Sequence, residues 1–532
     1  MGIKKIVRML LLILLGGAVI GTLVTGGFGA MAIAKIGILA GGIFAWRFFS
    51  KRRAGAGGAG NHLRGARLTD ARGLDAILSR EKRQSDFAIG NVRIPVEIET
   101  RGFLFAGAPG TGKSVAITSI LDVLDQRGDG GFVADRSGIY AARYYSSERD
   151  IILNPFDARS IAWSPLAEMH DEYDADTIAK SLIPDAAGDA GEWNRYAQNF
   201  VGGVLLHCWK TGATNREVVR LVQSAGLPEL REILSGHAHA SAGLLAEGNE
   251  KMFGSVRGIA STYTSALSRL PPDAARDAFS IRDWVARQGA GTAPGRRGRI
   301  FWNYQSNQIQ PARALIAAQA DIFSGAVVSL PPSASRRMWL VLDEFASLGR
   351  VASMEDFLTN ARKYGGCAIL GMQSISQVHS LYGRDNATSM LSSISTRLVL
   401  RAPDPETAEY SSKGMGDAQI VRTLRSGGSA ESAGGDSAHE NWSQQVATER
   451  VVLPAEIARL RDLTGYLSLS GDYPHAGVVL PLPETRADRA AAFEPAPPAL
   501  QQADIPPQRQ HQADDADAPA QGTPAPAAEF DF

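Results

Sequence analysis

Short apolar runs that end in polar residues recur along the chain and are typical of strands buried on both faces of a parallel sheet. An alternating stretch before the first run predicts a β-hairpin. The pattern therefore predicts an α/β fold. In chain order, the hairpin and the runs are residues 86–100, 102–106, 129–138, 298–304, 338–344, 366–372 and 395–401.

Between about residues 167 and 287 the pattern changes to long helical stretches, such as "WNRYAQNFVGGVLLHCWK" (193–210) and "FGSVRGIASTYTSALSRL" (253–270). Few strand signals interrupt them, so this region predicts an all-helical insertion. Farther on, the Gly/Ser-rich residues 427–445 are expected to form a mobile loop, and residues 454–482 to form a helical turn and two strands.

The first fifty residues differ from the rest because residues 9–49 contain only two charged side chains, Lys35 and Arg47. As helix they would measure roughly 60 Å at about 1.5 Å per residue, about twice the hydrocarbon thickness of a bilayer. Two crossings joined near residues 25–29 fit that length, and basic residues on both flanks predict that both ends are cytoplasmic. A cleaved signal peptide and one long tilted helix are the alternatives.

Overall composition does not indicate a nucleic-acid partner, a metal site or a disulfide-rich fold. The 532 residues carry 55 basic and 55 acidic side chains, so any nucleic-acid contact must be a local basic surface. Neither Cys208 nor Cys367 lies in a pattern of metal-ligand spacing, and both are expected to be buried thiols. Beyond Pro483 the chain is rich in Pro, Ala, Gln and Asp, which predicts disorder.

The stretch "GAPGTGKS" (107–114) matches G-x-x-x-x-G-K-[ST], the phosphate-binding loop or P-loop, between a predicted strand and a predicted helix. Glycines let backbone N–H groups turn inward around an anion, and the helix N-terminus adds further donors. A dinucleotide fingerprint needs a different glycine spacing. The sequence therefore predicts binding of ATP with Mg²⁺ by Gly107, Ala108, Pro109, Gly110, Thr111, Gly112, Lys113 and Ser114.

The second chemical landmark is Asp343-Glu344, at the end of an apolar run that we interpret as the strand neighbouring that of the P-loop. Asp343 and Ser114 are predicted to hold Mg²⁺, and Glu344 to orient and polarise the attacking water. Gln373 follows the next apolar run and is a candidate γ-phosphate sensor, although helix capping is its ordinary alternative.

Arg397 and Arg401 bracket a further apolar run. Arginine supplied across a subunit boundary commonly neutralises charge in phosphoryl transfer, so either residue is a candidate for that role. An ordinary solvent-facing or ion-pairing role is the alternative for each.

Seven blocks in a fixed order resemble the conjugative type IV secretion coupling proteins, the TraG/TraD family, over roughly residues 85–482. The blocks are "GAPGTGKS", "LNPFDARSIAW", "EWNRYAQNF", "WLVLDEFASLGR", "RKYGGCAILGMQSISQVHSLYG", "DPETAEYSS" and "VVLPAEIARLRDLTGYL".

The resemblance implies a RecA-like P-loop domain with an inserted all-α domain and an N-terminal two-helix transmembrane hairpin. It also implies a homo-hexameric ATPase of the bacterial inner membrane, with most of the chain cytoplasmic. Such proteins bring single-stranded DNA with its relaxase, or protein substrates, to the secretion channel proteins. A membrane-lipid contact follows from the hairpin.

Two other functions remain open at this stage. ATP could switch a substrate receptor at the channel without processive DNA pumping, or the chain could be a chromosome-segregation type of double-strand DNA pump. The latter usually carries a C-terminal winged helix, for which the tail leaves no room. The segments expected are a hairpin with basic flanks 1–53, a linker 54–85, the first nucleotide-binding part 86–166, the all-α domain 167–287, the second nucleotide-binding part 288–482 and a disordered tail 483–532.

Overall fold

The computed structural model describes residues 61–186, 188–237, 243–290, 297–430 and 437–497. Their strands form a ten-stranded sheet in the order β2-β15-β14-β11-β5-β10-β9-β6-β8-β7, a three-stranded sheet β1-β12-β13 and a short hairpin β3-β4. The strands are β1 Asn61–Gly65, β2 Leu68–Asp70, β3 Ala88–Ile89, β4 Val92–Arg93, β5 Phe103–Ala106, β6 Gly130–Arg136, β7 Ile151–Ile152, β8 Arg299–Tyr304, β9 Met338–Leu342, β10 Gly366–Met372, β11 Thr396–Val399, β12 Asp417–Ala430, β13 Ser437–Arg450, β14 Thr464–Ser468 and β15 His475–Val479.

Helices cover both faces of the large sheet and fill the region between β7 and β8. They are α1 Ala71–Arg80, α2 Lys113–Arg127, α3 Ile139–Tyr144, α4 Asp174–Leu182, α5 Asp189–Thr211, α6 Asn215–Gln223, α7 Leu227–His237, α8 Glu250–Thr264, α9 Ile281–Ala290, α10 Ile309–Val328, α11 Met354–Asn360, α12 Ile375–Tyr382, α13 Arg384–Ser392, α14 Pro405–Met415 and α15 Pro454–Ala458.

Side chains alternate between two hydrophobic cores along the central strands. In β5, Leu104 and Ala106 belong to the core under the helical region, whereas Phe103 and Phe105 belong to the core under α1 and α2. Every residue of β5 is buried. Because both faces are covered, the strands are apolar runs without polar alternation, as expected for a parallel sheet.

Parallel pairing brings the carboxyl ends of the central strands to one edge of the sheet. β10 pairs in parallel with both β5 and β9, and β6 pairs in parallel with β9 and β8. Residues that follow these strands therefore lie near one another, at what we call the carboxyl edge. The α/β class and its mainly parallel sheet, predicted from the sequence, are confirmed.

Between β7 and β8 the described residues form helices and turns. Their apolar faces pack into the same core as one face of the sheet, so the helical region rests directly on it. Cys208 of this region and Cys367 of β10 are both buried free thiols, as expected from the sequence.

Two stretches expected to be irregular carry regular elements. The predicted mobile loop 427–445 is wrong for the described part, because β12 and β13 pair across it in antiparallel register. Its Gly/Ser-rich composition hid a pairing that depends on backbone hydrogen bonds. Within the predicted linker, residues 61–80 form β1, β2 and α1, and β2 pairs with β15 at the edge of the large sheet.

Residues 483–497, which composition assigned to a disordered tail, lie extended against the nucleotide-binding part; we call them the C-terminal strap. The backbone N–H of Arg489 donates to the carbonyl of Ala142 at 2.8 Å, and that of Ala158 donates to the carbonyl of Glu494 at 2.7 Å. Backbone bonds and ion pairs rather than apolar side chains fix the strap, so composition did not reveal it.

The predicted transmembrane hairpin 1–53, residues 54–60 of the linker and residues 498–532 of the tail lie outside the described residues. Within the described part, no helix combines the length and the hydropathy needed to cross a bilayer.

Candidate active site at the carboxyl edge

The P-loop turns sharply between β5 and α2 because two of its glycines adopt left-handed backbone angles. Gly110 has φ 75° and Gly112 has φ 117°, values that side-chain-bearing residues rarely adopt. The Gly107 N–H donates to the carbonyl of Met372 at the end of β10. The turn is thereby fixed to the neighbouring strand, and α2 begins at Lys113.

Lys113 lies inside the arch of this turn. Its Nζ donates to the carbonyl of Gly107 at 2.6 Å and to that of Ala108 at 3.3 Å. Burial lowers the pKa of Lys113, although the nearby carboxylates of Asp343 and Glu344 act in the opposite direction. The arrangement holds one positive charge beneath a ring of backbone groups, a position suited to a phosphate chain.

The acidic pair meets the P-loop from β9, which is not the neighbouring strand, because β10 lies between β5 and β9. The Ser114 hydroxyl nevertheless donates to Asp343 Oδ2 at 3.2 Å. Burial raises the pKa of Asp343, against the hydrogen bond from Tyr140 and the charge of Lys113. The two residues predicted to hold a metal are thus in contact, although their strands are not adjacent.

Both carboxylate oxygens of Glu344 are bound by side chains. The Arg136 guanidinium donates to Oε2, and the Gln373 amide donates to Oε1. Arg136 is the last residue of β6 and Gln373 directly follows β10, and these strands lie on either side of β9. Glu344 is therefore held from both sides at the carboxyl edge, next to the carboxylate of Asp343.

A second turn of the carboxyl edge also contacts the acidic pair; we call residues 135–140 the β6 turn. Its Tyr140 hydroxyl donates to Asp343 Oδ2 at 2.9 Å. Its Asp135 is fully buried and accepts from the N–H of Ala141 at 2.6 Å, which caps α3. Burial raises the pKa of Asp135 to about 8, and the charge of Asp343 adds to that rise.

The oxygen ligands offered by Ser114 and Asp343 suit Mg²⁺ that is also bound by phosphate, rather than a metal ion whose ligands all come from the protein. Ser114 and Asp343 offer a hydroxyl and a carboxylate oxygen in contact, and Mg²⁺ is commonly bound by one or two such groups together with substrate phosphates and waters. Among the described residues, no group of three or more His, Cys, Asp or Glu is arranged as a metal site. A phosphate-linked Mg²⁺ is the metal that these side chains suit.

The two predicted arginines occupy different environments. Arg401 accepts the N–H of Ala108 with its carbonyl at 2.8 Å, while its guanidinium pairs with Asp462 at 2.8 Å and is partly exposed. Arg397 points away from the P-loop, since its guanidinium donates to the Leu391 carbonyl and stacks over Tyr410. Arg401 is thus beside the site of its own chain, and Arg397 is not.

The structure therefore brings together five side chains that the sequence named as candidates: Lys113, Ser114, Asp343, Glu344 and Gln373. Sequence reasoning assigned no role to Asp135, Arg136 or Tyr140. The available signal was the apolar run "GGFVA" followed by polar residues, because every strand that ends at the carboxyl edge delivers its next residues to the site.

A distant cavity of about 310 Å³ lies where β5 and β11 begin and β14 ends, at the edge opposite the P-loop. Arg101, Arg362 and several hydroxyl groups line it, with no carboxylate among the lining residues. The Arg101 guanidinium donates to the Ser470 hydroxyl at 2.5 Å. This cavity is positively charged and separate from the acidic pair.

Comparison with known proteins places these features in one family. The family model for the type IV secretion-system coupling protein DNA-binding domain matches residues 86–481. The match covers both the P-loop and the acidic pair, together with the helical region between them.

Two curated relatives agree with that match. The chain is 28% identical to the coupling protein TraD of Escherichia coli (strain K12) over 436 residues, which are 81% of this chain and 59% of TraD. It is 32% identical to the conjugal transfer protein TraG of Rhizobium radiobacter over 141 residues, which are 26% of this chain and 21% of that protein. The matched region therefore spans less than two thirds of the length of either relative.

Solved structures of one plasmid coupling protein share the fold. The unbound form of the bacterial conjugative coupling protein TrwBdeltaN70 is 31% identical, with a TM-score of 0.72, and the similarity covers 82% of this chain and 98% of that chain. TrwB in complex with the ATP analogue ADPNP and TrwB in complex with ADP and Mg²⁺ are each 30% identical, with the same TM-score, over 83% of this chain and 99% of theirs.

Proposed function

Because the chain belongs to the family of type IV secretion-system coupling proteins, we propose that it is an ATPase that recruits a relaxase–DNA or protein substrate to a secretion channel and drives conjugative transfer. The contact between Ser114 and Asp343 carries this proposal, since it joins the P-loop to the acidic pair. The class of substrate is inferred from family membership, and ATP hydrolysis is inferred from the geometry of the site.

The P-loop residues would bind the triphosphate of ATP. Backbone N–H groups of residues 107–113 and the N-terminus of α2 would surround the phosphates, with Lys113 at the β- and γ-phosphates. Ser114 and Asp343 would hold Mg²⁺, which neutralises charge that develops on the phosphate oxygens. The ADPNP and ADP–Mg²⁺ complexes of TrwB support the choice of ligand.

Hydrolysis would rely on the residues around Glu344. Its carboxylate, oriented by the partners on its two oxygens, would position a water for in-line attack on the γ-phosphorus and accept its proton. Gln373, bound to the same carboxylate, would report the presence of the γ-phosphate. Because Gln373 starts the segment that leads into α12, a shift there would move a helix.

The assembled form that we propose is a homo-hexamer in the bacterial inner membrane, held by the apolar residues 9–49 with the bulk of the chain in the cytoplasm. Arg401 lies beside the P-loop and is a better candidate than Arg397 for an arginine near a nucleotide. For an arginine acting on a neighbouring copy we add Arg362, because it is exposed and the described residues give its guanidinium no carboxylate partner.

A receptor that ATP switches without pumping DNA is the alternative. It needs the same nucleotide site and the same partners, so the observations that support the first function support it equally. What separates them is whether DNA changes the rate of hydrolysis, because a motor couples the two and a receptor need not.

The test measures phosphate release by the full chain in detergent, with and without single-stranded DNA. A motor predicts hydrolysis that rises several-fold with DNA. An equal rate in both conditions would favour the receptor, and no hydrolysis above that of Lys113→Ala would contradict the ATPase itself.

A further inference from the structure

The β6 turn contacts both members of the acidic pair, although it belongs to neither sequence motif. Arg136 donates to Glu344, and Tyr140 donates to Asp343. The Arg136 side chain is 44% exposed, whereas that of Glu344 is only 11% exposed. The arginine therefore reaches inward from the surface to a nearly buried carboxylate.

The turn itself has little internal freedom. Ser137 and Gly138 have φ values of 75° and 74°, which is unusual for serine. Asp135 caps α3 on one side, and the Ser137 N–H donates to the Tyr304 carbonyl at 2.8 Å on the other. Arg136 is thus placed by a backbone that is fixed at both ends.

The C-terminal strap lies against the back of this turn. A Cβ added to Gly138 would stand only 2.2 Å from the carbonyl oxygen of Ala492, so strap and turn are in direct backbone contact. The same Ala492 carbonyl accepts from the Asn303 amide at 2.8 Å. The turn is therefore packed between the strap behind it and the acidic pair in front.

Ion pairs hold the strap in this position. Arg489 pairs with Asp125 of α2 at 2.6 Å, and Arg486 pairs with Asp122 at 3.4 Å. The backbone N–H groups of Arg489 and Ala490 both donate to the carbonyl of Ala142, in α3. The strap consequently connects the helix that follows the P-loop with the helix that follows the β6 turn.

We propose that Arg136 is a positioning residue for Glu344, and that the C-terminal strap fixes the turn from which Arg136 reaches it. The inference rests on the proposed ATPase, because Glu344 is the residue that would act on water. The proposal adds the strap to the site, although the strap lies more than a hundred residues from both the P-loop and the acidic pair in the sequence. Release of the strap, for instance by a partner that binds the tail beyond it, would then lower hydrolysis without touching the nucleotide.

Point variants test the role of Arg136. Arg136→Gln should lower kcat for phosphate release about 10-fold with KM for ATP changed less than about twofold, and Arg136→Lys should restore part of kcat. Arg216→Gln, which removes an exposed arginine paired with exposed Asp273 in the helical region, is the control and should match the wild type. An unchanged kcat in Arg136→Gln would show that the pair with Glu344 is only a surface contact.

Two shortened chains test the strap. A chain ending at Pro497 should keep the wild-type kcat, whereas a chain ending at Leu482 should lose as much as Arg136→Gln does. Combining that truncation with Arg136→Gln should cause little further loss, because both act on the same contact. Additive losses, or no loss at Leu482, would overturn the proposal.

Amide exchange gives a readout that does not depend on hydrolysis. Protection of residues 137–144 should fall in the chain ending at Leu482 and, to a smaller extent, in Arg489→Gln, a variant that keeps the full length. If the wild type hydrolyses no ATP, the proposed function fails, but unchanged protection is what would contradict the strap. The two failures are therefore distinguishable.

Discussion

The P-loop and the β6 turn lie at the same edge of the sheet and contact the same acidic pair, but different features give them their shapes. The P-loop contacts the pair through the Ser114 hydroxyl, and its glycines at 110 and 112 provide the backbone angles of the turn. The β6 turn presents two side chains, from Arg136 and Tyr140, and its shape depends on packing against the strap. We infer that the backbone angles of the P-loop come from its own glycines, although neighbouring strands anchor it, whereas the shape of the β6 turn depends on the distant strap.

Removing the positive charge of Lys113 should have the largest effect and tests whether the P-loop keeps its shape without that side chain. Lys113→Ala should lower kcat/KM for ATP hydrolysis by about 10²- to 10³-fold, because one buried charge at the phosphates is lost. Its fold should persist, since the Nζ group bonds only to loop carbonyls. Phosphate release and thermal unfolding measure the two effects. Lys210→Ala, which removes an exposed pair with Glu172, is the control.

If Lys113→Ala instead lost its folded structure, the glycines and backbone bonds of the P-loop would not be enough to hold its shape. A variant that folds and hydrolyses ATP normally would contradict the site itself.

Moving the acidic pair as a whole should have the next largest effect. A Cβ added to Gly371 would stand 1.8 Å from the backbone oxygen of Asp343, so Gly371→Ala must displace β10 or the pair. We expect hydrolysis to fall by up to about 10²-fold and the free energy of unfolding to fall by about 1–3 kcal/mol. Phosphate release and urea unfolding measure these.

Gly325→Ala is the control for that variant. A Cβ at Gly325 of α10 meets no atom within 4 Å, so this change should leave hydrolysis unchanged and stability equal or slightly higher. Equal behaviour of the two glycine variants would mean that the site tolerates a shift of Asp343 and is less rigid than its contacts indicate.

The sequence predicted the parts of this molecule that depend on local sequence patterns. The glycines of the P-loop indicate its backbone angles, and the apolar run before Asp343 indicates a buried strand. The position of β10 between β5 and β9 was not foreseen, because strand order depends on which helices cross which face. Arg136 carries no local signal, since its role comes from Glu344, about two hundred residues away. The strap was missed because most of its residues are polar or small and because backbone bonds and ion pairs hold it in place.

A smaller effect should separate the two contacts of the β6 turn. Tyr140→Phe removes only the hydroxyl that donates to Asp343 at 2.9 Å, while Ser114 still donates to the same oxygen. The apparent affinity for Mg²⁺ in the hydrolysis assay should fall by about 10-fold, as is usual when a partner of a metal ligand is lost. The rate at saturating Mg²⁺ should change little.

Tyr173→Phe removes the hydroxyl of an exposed tyrosine and should leave the Mg²⁺ dependence as in the wild type. A fall in kcat at saturating Mg²⁺ in Tyr140→Phe would instead place Tyr140 with Arg136 as a residue that orients the attacking group. The turn would then act on hydrolysis through both of its side chains.

The smallest expected effect concerns the ion pair between Arg489 of the strap and Asp125, and it depends on pH. Burial acts to raise the pKa of Asp125, but Arg489, Arg299 and Arg149 outweigh it and bring that pKa below its ordinary value. A carboxyl whose pKa is lowered by folding adds stability above its unfolded pKa of about 3.9, and this stability is lost as the pH falls through the folded pKa. Arg489→Gln should therefore cost at most about 1 kcal/mol at pH 7, because the arginine is 44% exposed.

That cost should stay nearly constant in mild acid and shrink only as the pH falls toward the lowered pKa of folded Asp125, because a protonated Asp125 has no charge for Arg489 to bind. Urea unfolding at a series of pH values measures it, and Arg216→Gln supplies the comparison for loss of an ordinary exposed pair. A difference between Arg489→Gln and the wild type that stays constant even below that lowered pKa would mean that Arg489 acts by packing. The strap would then be held by its backbone bonds to Ala142 and not by the charge of Asp125. In that case only the backbone contact between Gly138 and Ala492 would make the β6 turn, unlike the P-loop, dependent on the strap.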